Sequence, residues 1–248
     1  LSADGQDTST TGNTTHMRYM FSDCVGLKNA QLSDVGNGKY GSMYFMFLRC
    51  RGLYNVTMTN VGIGQETDMR GMFNQAGTNS GTKSYIPAGT TGSYLLNNVG
   101  SGRSSASDYG ASLGWFMYSA LCDTNLSTAA FTWTNSVSKP TWYSYYMLSY
   151  CGATQMDLRT MPTLATQQVE AYNNWSWGWA SALQRIKKIV NYSNASSLGA
   201  GILTLPTTWD IDRVTDGVAV FSGSPSIEDV YITSMKWRRG DDFTAWFN

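Results

Sequence analysis

An eight-residue motif recurs at a fixed interval and limits what this chain can fold into. Met17-Arg18-Tyr19-Met20-Phe21-Ser22-Asp23-Cys24, Met43-Tyr44-Phe45-Met46-Phe47-Leu48-Arg49-Cys50 and Met69-Arg70-Gly71-Met72-Phe73-Asn74-Gln75-Ala76 follow one another every 26 residues. They share M-x-x-M-F-x-x-[C/A]. A regular period of this size marks a stack of coils, in which each repeat buries its apolar face only against its neighbours.

Weaker copies follow. Trp115 to Cys122 keeps the apolar spacing with Tyr118 in the second Met position; Met147, Leu148 and Cys151 form a fifth, with Ser144 in the first Met position. Trp179-Ala180 with Leu183 and Ile186 form a sixth, and Val220-Phe221 to Ile227 a seventh. The longer gaps, 77–114 and 191–216, are rich in Gly, Ser, Thr and Asn and read as inserted loops. Phe243 follows Ile232 by 11 residues, as Met43 follows Leu32, and Phe243-Thr244-Ala245-Trp246-Phe247 fits the start of an eighth copy. Leu1-Ser2 resembles Leu32-Ser33. The expected organisation is one repeat array over 1–248, about seven repeats, forming a segment of a longer protein.

Positions 17, 20, 21 and 24 fall at i, i+3, i+4 and i+7, which predicts a short helix with one apolar face. Alternating stretches follow, as in Ala30-Gln31-Leu32, Val56-Thr57-Met58 and Val230-Tyr231-Ile232, and predict short strands with one buried face. Stacked copies would place those strands about 4.8 Å apart in a parallel sheet. The expected fold is an α/β repeat solenoid, with short parallel strands on one face and short helices on the other. Most of the methionines, including Met17, Met20, Met43, Met46, Met69, Met72, Met117 and Met147, lie in or beside the motif and are expected in the core, where Met fills irregular gaps.

The M-x-x-M-F-x-x-C-x-x-L motif with a following L-x-L resembles the BspA-like leucine-rich repeats of bacterial and some protist surface proteins. The likeness is strong over residues 1–75 and 215–248 and looser between, where Leu203-Thr204-Leu205-Pro206 matches the family's strand-plus-Pro form. The resemblance implies a leucine-rich-repeat-like solenoid, a cell-surface or secreted location, and a role in adhesion or recognition.

Composition narrows the chemistry. Lys plus Arg and Asp plus Glu are each 17, net charge is zero, and only 14% of residues are charged. Nucleic-acid binding needs clustered cations and is not expected. No apolar run approaches the length of a membrane span. A single histidine, His16, leaves no site built on two histidines and no obvious catalytic triad. No G-x-S-x-G, P-loop or H-E-x-x-H is present. Among the carboxylates, Asp157, Asp210, Asp212, Glu228 and Asp229 have no spacing that favours an acid pair over polar decoration. The chain is expected to be no enzyme, with no cofactor and no metal.

Cys24, Cys50, Cys122 and Cys151 are read as one repeat position, so stacking leaves open either two bonds, Cys24–Cys50 and Cys122–Cys151, or four thiols. Ala76 standing in the same stack favours thiols. Six N-x-[ST] sequons begin at Asn13, Asn55, Asn125, Asn174, Asn191 and Asn194, and Arg239-Gly240-Asp241 forms a tripeptide familiar from integrin ligands. The surface expected to bind is the outward strand face: Asn29, Gln31 and Ser33; Asn55, Thr57 and Thr59; Asp157 and Arg159; Asp229, Tyr231 and Thr233. These are mostly neutral hydrogen-bonding groups, with an aromatic, and suit a glycan or protein on a cell surface better than a highly charged partner. The other reading is a structural or receptor-binding part of a phage fibre, virion or surface filament, contacting neighbouring subunits.

Overall fold

The computed structural model describes residues 16–38, 41–64, 67–100, 111–134, 146–158, 185–190, 202–204 and 226–231. These residues contain eight strands: β1 (Asn29–Ser33), β2 (Asn55–Val61), β3 (Thr90–Val99), β4 (Leu126–Thr134), β5 (Gln155–Asp157), β6 (Lys188–Val190), β7 (Ile202–Thr204) and β8 (Asp229–Tyr231). They form one sheet in the order β1-β2-β3-β4-β5-β7-β6-β8, and every pairing is parallel. Sequential parallel neighbours over β1–β5 are what a repeat stack produces, with one coil per strand.

Alternation decides which side chains enter the core. The register aligns Ala30, Val56, Tyr94, Phe131, Met156, Leu203, Ile189 and Val230 in one row, buried from Val56 to Ile189 and exposed at Val230 on the sheet edge. Leu32, Met58, Leu96 and Trp133 form a second row, all buried. From the opposite side the repeated motif supplies Met43, Met46 and Phe47, then Met69, Met72 and Phe73, all at most 1% exposed. The phenylalanines stack coil on coil: Phe21 on Phe47 at 5.3 Å between centroids, and Phe47 on Phe73 at 5.4 Å, with ring planes within 9° of parallel.

The motif itself is not a helix. Residues 18–23, 44–49 and 70–77 are consecutive turns, and among the described residues there is no α-helix. Their amides alternate between two kinds of partner. Met17, Tyr19, Phe21 and Asp23 donate to the carbonyls of Ser42, Tyr44, Met46 and Leu48 in the next coil, at 2.8–3.1 Å. The intervening Met20, Ser22 and Cys24 donate back within the coil to Met17, Tyr19 and Phe21. The second coil repeats the pattern against the third, from Met43, Phe45, Phe47 and Arg49 to Asp68, Arg70, Met72 and Asn74. The physical reason is width. An α-helix needs about 10 Å, whereas strands hydrogen-bonded coil to coil are about 4.8 Å apart. Turns that bond to the next coil keep the same spacing on both sides of the core.

Each turn segment carries left-handed residues four apart: Tyr19 and Asp23, Phe45 and Arg49, Gly71 and Gln75, Trp115 and Ser119, Tyr146 and Tyr150. A non-glycine residue there carries roughly 1–2 kcal/mol of strain. Ser119, at φ 52°, is therefore expected to gain about 0.5–1 kcal/mol on Ser119→Gly, read as a higher urea midpoint. A helix would instead lose about 0.5 kcal/mol from the same change, so the sign separates the two structures.

Hydrogen bonds also correct the phase of the fourth copy. Met69, Gly71, Phe73 and Gln75 donate to Ser112, Gly114, Phe116 and Tyr118, which aligns Leu113, Phe116, Met117 and Ala120 with the motif. The alignment that began at Trp115 and ended at Cys122 is two residues late. The fifth copy stands as read, since Met117 and Ser119 donate to Met147 and Ser149. The sixth and seventh copies fall almost wholly outside the described residues, apart from buried Ile186 and partly buried Ile227.

Both inserted stretches contain strands. β3, the ten-residue Thr90–Val99, lies within 77–114, where the sequence predicts only a loop; β7 lies within 191–216, at the Leu203-Thr204 stretch that matches the strand-plus-Pro form, and inserts between β5 and β6. The extra residues before β3 pack forward against the next coil, just ahead of β4. Ser84 Oγ lies 2.8 Å from both carboxylate oxygens of fully buried Asp123, and Asn125 Nδ2 donates to the Ile86 carbonyl at 2.7 Å. Buried polar atoms need such partners, so this network fixes the excursion against the stack.

Candidate functional site

The outward sheet face forms three rows. The first is Asn29, Asn55, Ser93, Ala130 and Gln155, from β1 to β5. The second is Gln31, Thr57, Leu95, Thr132 and Asp157, followed by Thr204, Val190 and Tyr231. The third is Ser33, Thr59, Asn97 and Thr134. The structure thus gathers Asn29, Gln31, Ser33, Asn55, Thr57, Thr59 and Asp157 on one face. Arg159, Thr233 and the Arg239-Gly240-Asp241 turn lie outside the described residues.

The face does not run the whole length of the sheet. Thr204 and Val190 occupy outward-row positions but are buried, at 5% and 0% exposure. Asp229 and Tyr231 on β8 are thereby separated from the β1–β5 rows. Gln31 and Tyr231 lie seven strand spacings apart, about 34 Å along the sheet. Tyr231 is exposed at this far edge. Gln31 and Tyr231, both expected on the outward strand face, therefore lie on two separate surfaces.

Reading the sequence missed the middle of the face. Ser93, Leu95 and Asn97 on β3, Thr132 and Thr134 on β4, and Gln155 on β5 complete it. Leu95 is the notable one, because it is 45% exposed between Thr57 and Thr132. Its apolar side chain disguised the strand: Tyr94-Leu95-Leu96 reads as a run rather than an alternation.

Many amides on and beside this face already serve the fold. Asn55 Nδ2 donates to Asn29 Oδ1 at 3.0 Å, Asn60 Nδ2 to Asp34 Oδ1 at 3.0 Å, and Asn98 Nδ2 to Asn60 Oδ1 at 2.8 Å. Such side-chain ladders tie coil to coil. Two sequon amides are thereby engaged: Asn55 Nδ2 by Asn29 in the ladder, and Asn125 Nδ2 by the Ile86 carbonyl. The sequons at Asn13, Asn174, Asn191 and Asn194 lie outside the described residues.

The carboxylates near the far edge are paired. Lys187 Nζ bonds Glu228 Oε1 at 2.8 Å, and Lys188 Nζ lies 3.6 Å from Asp229 Oδ2. The hydrogen bond from Lys187 holds the Glu228 carboxyl below its usual value, the reverse of what a general acid requires. Asp210 and Asp212 are outside the described residues. Among the described residues no three His, Cys, Asp or Glu side chains converge on a possible metal site, and no helix is long and apolar enough to cross a membrane.

All four cysteines are free thiols. Cys50 donates to the Phe21 carbonyl at 2.9 Å, and burial pushes its thiol up to about 12. Cys122, displaced from the repeat position, donates to the Tyr150 carbonyl at 2.7 Å and is pushed up by burial to about 11. Burial raises Cys151 as well. Thiols held protonated in this way are poor nucleophiles at neutral pH.

No curated protein and no solved structure matches the chain. Residues 7–85, which contain the three regular copies of the motif, are similar to the family described as "Mycoplasma protein of unknown function, DUF285".

Proposed function

We propose that the chain is a non-enzymatic recognition module, outside the cell or on its surface, that binds a host glycan or protein through the β1–β5 face of a BspA-like leucine-rich-repeat solenoid. The observation that carries this reading is the continuous face of mostly neutral groups, with Asp157 at one end and half-exposed Leu95 near its centre. An apolar anchor ringed by hydroxyls and amides is the usual anatomy of a modest protein or glycan contact. The repeat-built parallel sheet and the family likeness over residues 7–85 are in keeping with a repeat surface protein.

The test is binding of the purified chain to cultured animal cells and to immobilised glycans. Leu95→Asp combined with Thr57→Ala is expected to weaken binding about tenfold or more, the effect of removing a central anchor. Circular dichroism should stay unchanged, because both side chains point outward. Undiminished binding by this variant would remove the strand face as the contact. A second reading, a structural element of a fibre or virion, draws on the hydrogen-bonded ladders on both sides of the coils, which make a stiff, extensible stack. Ordered multimers in electron micrographs of the purified chain would favour it.

A further inference from the structure

The turn side of the stack carries a second surface that the strand-face reading does not use. The first left-handed position of each turn segment holds Tyr19, Phe45, Gly71, Trp115 and Tyr146 in successive coils. Bulky residues avoid this conformation, and glycine in the third coil shows that the backbone accepts the relaxed choice. Four aromatics nevertheless stand there. They are not core residues: Tyr19 is 48% exposed, and Phe45, Trp115 and Tyr146 are half-buried. Strain retained at a surface position points to a role for the surface rather than for the fold.

Neighbouring rings extend the row into a stripe. Tyr19 lies 5.6 Å from Tyr44 and 5.7 Å from Phe45, between ring centroids. The Phe45 ring covers Gly71, where a Cβ would collide with it, and so bridges the coil that lacks an aromatic. Tyr118 lies 6.2 Å from Tyr146 and 5.5 Å from Tyr150, which is 41% exposed. The stripe crosses five coils, about 19 Å from first to last.

We propose that this aromatic stripe is a platform for a neutral polysaccharide chain lying across the coils. Three observations choose that occupant. The stripe is linear, with rings from four of its five coils and the Phe45 ring over the fifth, and suits an extended polymer better than a rounded protein patch. Tyrosine dominates it, giving ring faces for the C–H faces of sugars and hydroxyls for their O–H groups. Among the described residues nearby, Arg49 pairs with Asp23 and Arg70 with Asp68, each at 2.8 Å, while Arg18 and Arg51 spend their donors on Ser42 Oγ and on Asn79 and Gln75, which leaves little charge free for an ionic ligand and suits an uncharged one. Such binding presupposes the recognition role proposed above and adds a ligand class and a second contact surface.

The test is native electrophoresis of the full chain through gels containing hydroxyethylcellulose, β-1,3-glucan or galactomannan, beside a gel without polysaccharide. At least one polymer is expected to retard the protein. Tyr19→Gly combined with Tyr146→Gly should reduce the association constant about tenfold while leaving Tm equal or higher, because both changes relieve left-handed strain. Tyr150→Ser, at an exposed ring, should reduce it less and provides an independent variant. Leu95→Asp on the strand face should leave retardation intact. Retardation by none of the polymers, or retardation unchanged in the double glycine variant, overturns the platform. Loss in Leu95→Asp alone also overturns it and moves the glycan to the sheet, with the recognition role still standing. Binding to phosphatidylcholine vesicles that the double variant abolishes, without polysaccharide retardation, would assign the stripe to a membrane surface instead.

Discussion

Phe73→Ala is expected to destabilise the chain by about 4 kcal/mol, the middle of the range for buried aromatic truncations. Phe73 is fully buried at the junction of three coils. It stacks on Phe47 at 5.4 Å, meets Phe116 edge-on at 5.3 Å, and touches Tyr94 of β3 at 5.1 Å. Loss of the ring therefore removes burial and three aromatic contacts together. Collapse cannot refill the space, because the coil spacing is set by backbone bonds on both sides. Phe73 N–H donates to Phe116 O at 2.8 Å, and Val56 and Tyr94 are fixed opposite each other in the β2–β3 ladder. In a stack stabilised by nearest-neighbour interfaces, the damage should concentrate at one junction. Urea titration followed by tryptophan fluorescence and by circular dichroism should show the midpoint falling and the two probes separating, because all nine tryptophans follow Phe73 in the sequence. Phe73→Leu, which conserves most of the volume, should cost under about 1.5 kcal/mol. A loss below 1 kcal/mol in Phe73→Ala would show that the stacked rings are not the spine of the array.

The sequence displayed the repeat more clearly than the local structure that builds it. Three copies at 26-residue spacing placed Phe21, Phe47 and Phe73 in one stack and set β1 against β2 with Asn29 opposite Asn55. The helix reading failed because i, i+3, i+4, i+7 describes which side chains share a face, and successive three-residue turns satisfy that pattern as well. What separates the two is coil spacing, a property of the stack that no single repeat displays. The left-handed residues hold a partial signal: Gly71 stands where Tyr19 and Phe45 stand in earlier copies, and a glycine within an expected helix is a mild warning.

The binding face was legible in β1 and β2, where alternation is clean. It was not legible in β3, because polar composition around it and outward Leu95 both masked the period. The fourth copy was misphased for a related reason. The interval from Met69 to Leu113 is 44 residues, so the period gave no help, and Cys122 imitated a motif position that Ala120 in fact fills. The interruption of the outward face at Thr204 and Val190 depends on β7 entering between β5 and β6, a long-range pairing with no local signature.

Gly52→Ala is expected to cost about 3 kcal/mol, although Gly52 has an ordinary backbone conformation and only one methyl is added. The reason is the closeness of the coils. The Gly52 N–H donates to the Val25 carbonyl of the previous coil at 3.1 Å, and a Cβ at Gly52 would collide with that same oxygen while lying 3.2 Å from the Leu27 oxygen. Neither obstacle is a side chain that can rotate away. Val25 is itself tied to Asp23 through its N–H at 2.8 Å, and two residues on, Tyr54 donates to Lys28 at 3.1 Å, so the carbonyls cannot retreat without opening the start of the β1–β2 ladder. Comparable contacts recur at later junctions: a Cβ at Gly77 would lie 2.6 Å from the Leu53 oxygen, and one at Gly152 would lie 2.8 Å from Cys122 Cα. Gly26, 26 residues before Gly52, supplies the matched control, because among the described residues a Cβ there would meet nothing within 4 Å. Gly26→Ala should stay within about 0.5 kcal/mol of the parent, as surface substitutions usually do. The difference between the two urea midpoints isolates the coil-to-coil contact from any intrinsic preference of glycine at that point of the repeat. Equal midpoints would mean that the coils are not packed at strand spacing there, and the turn ladder that replaces the helices would fall with them.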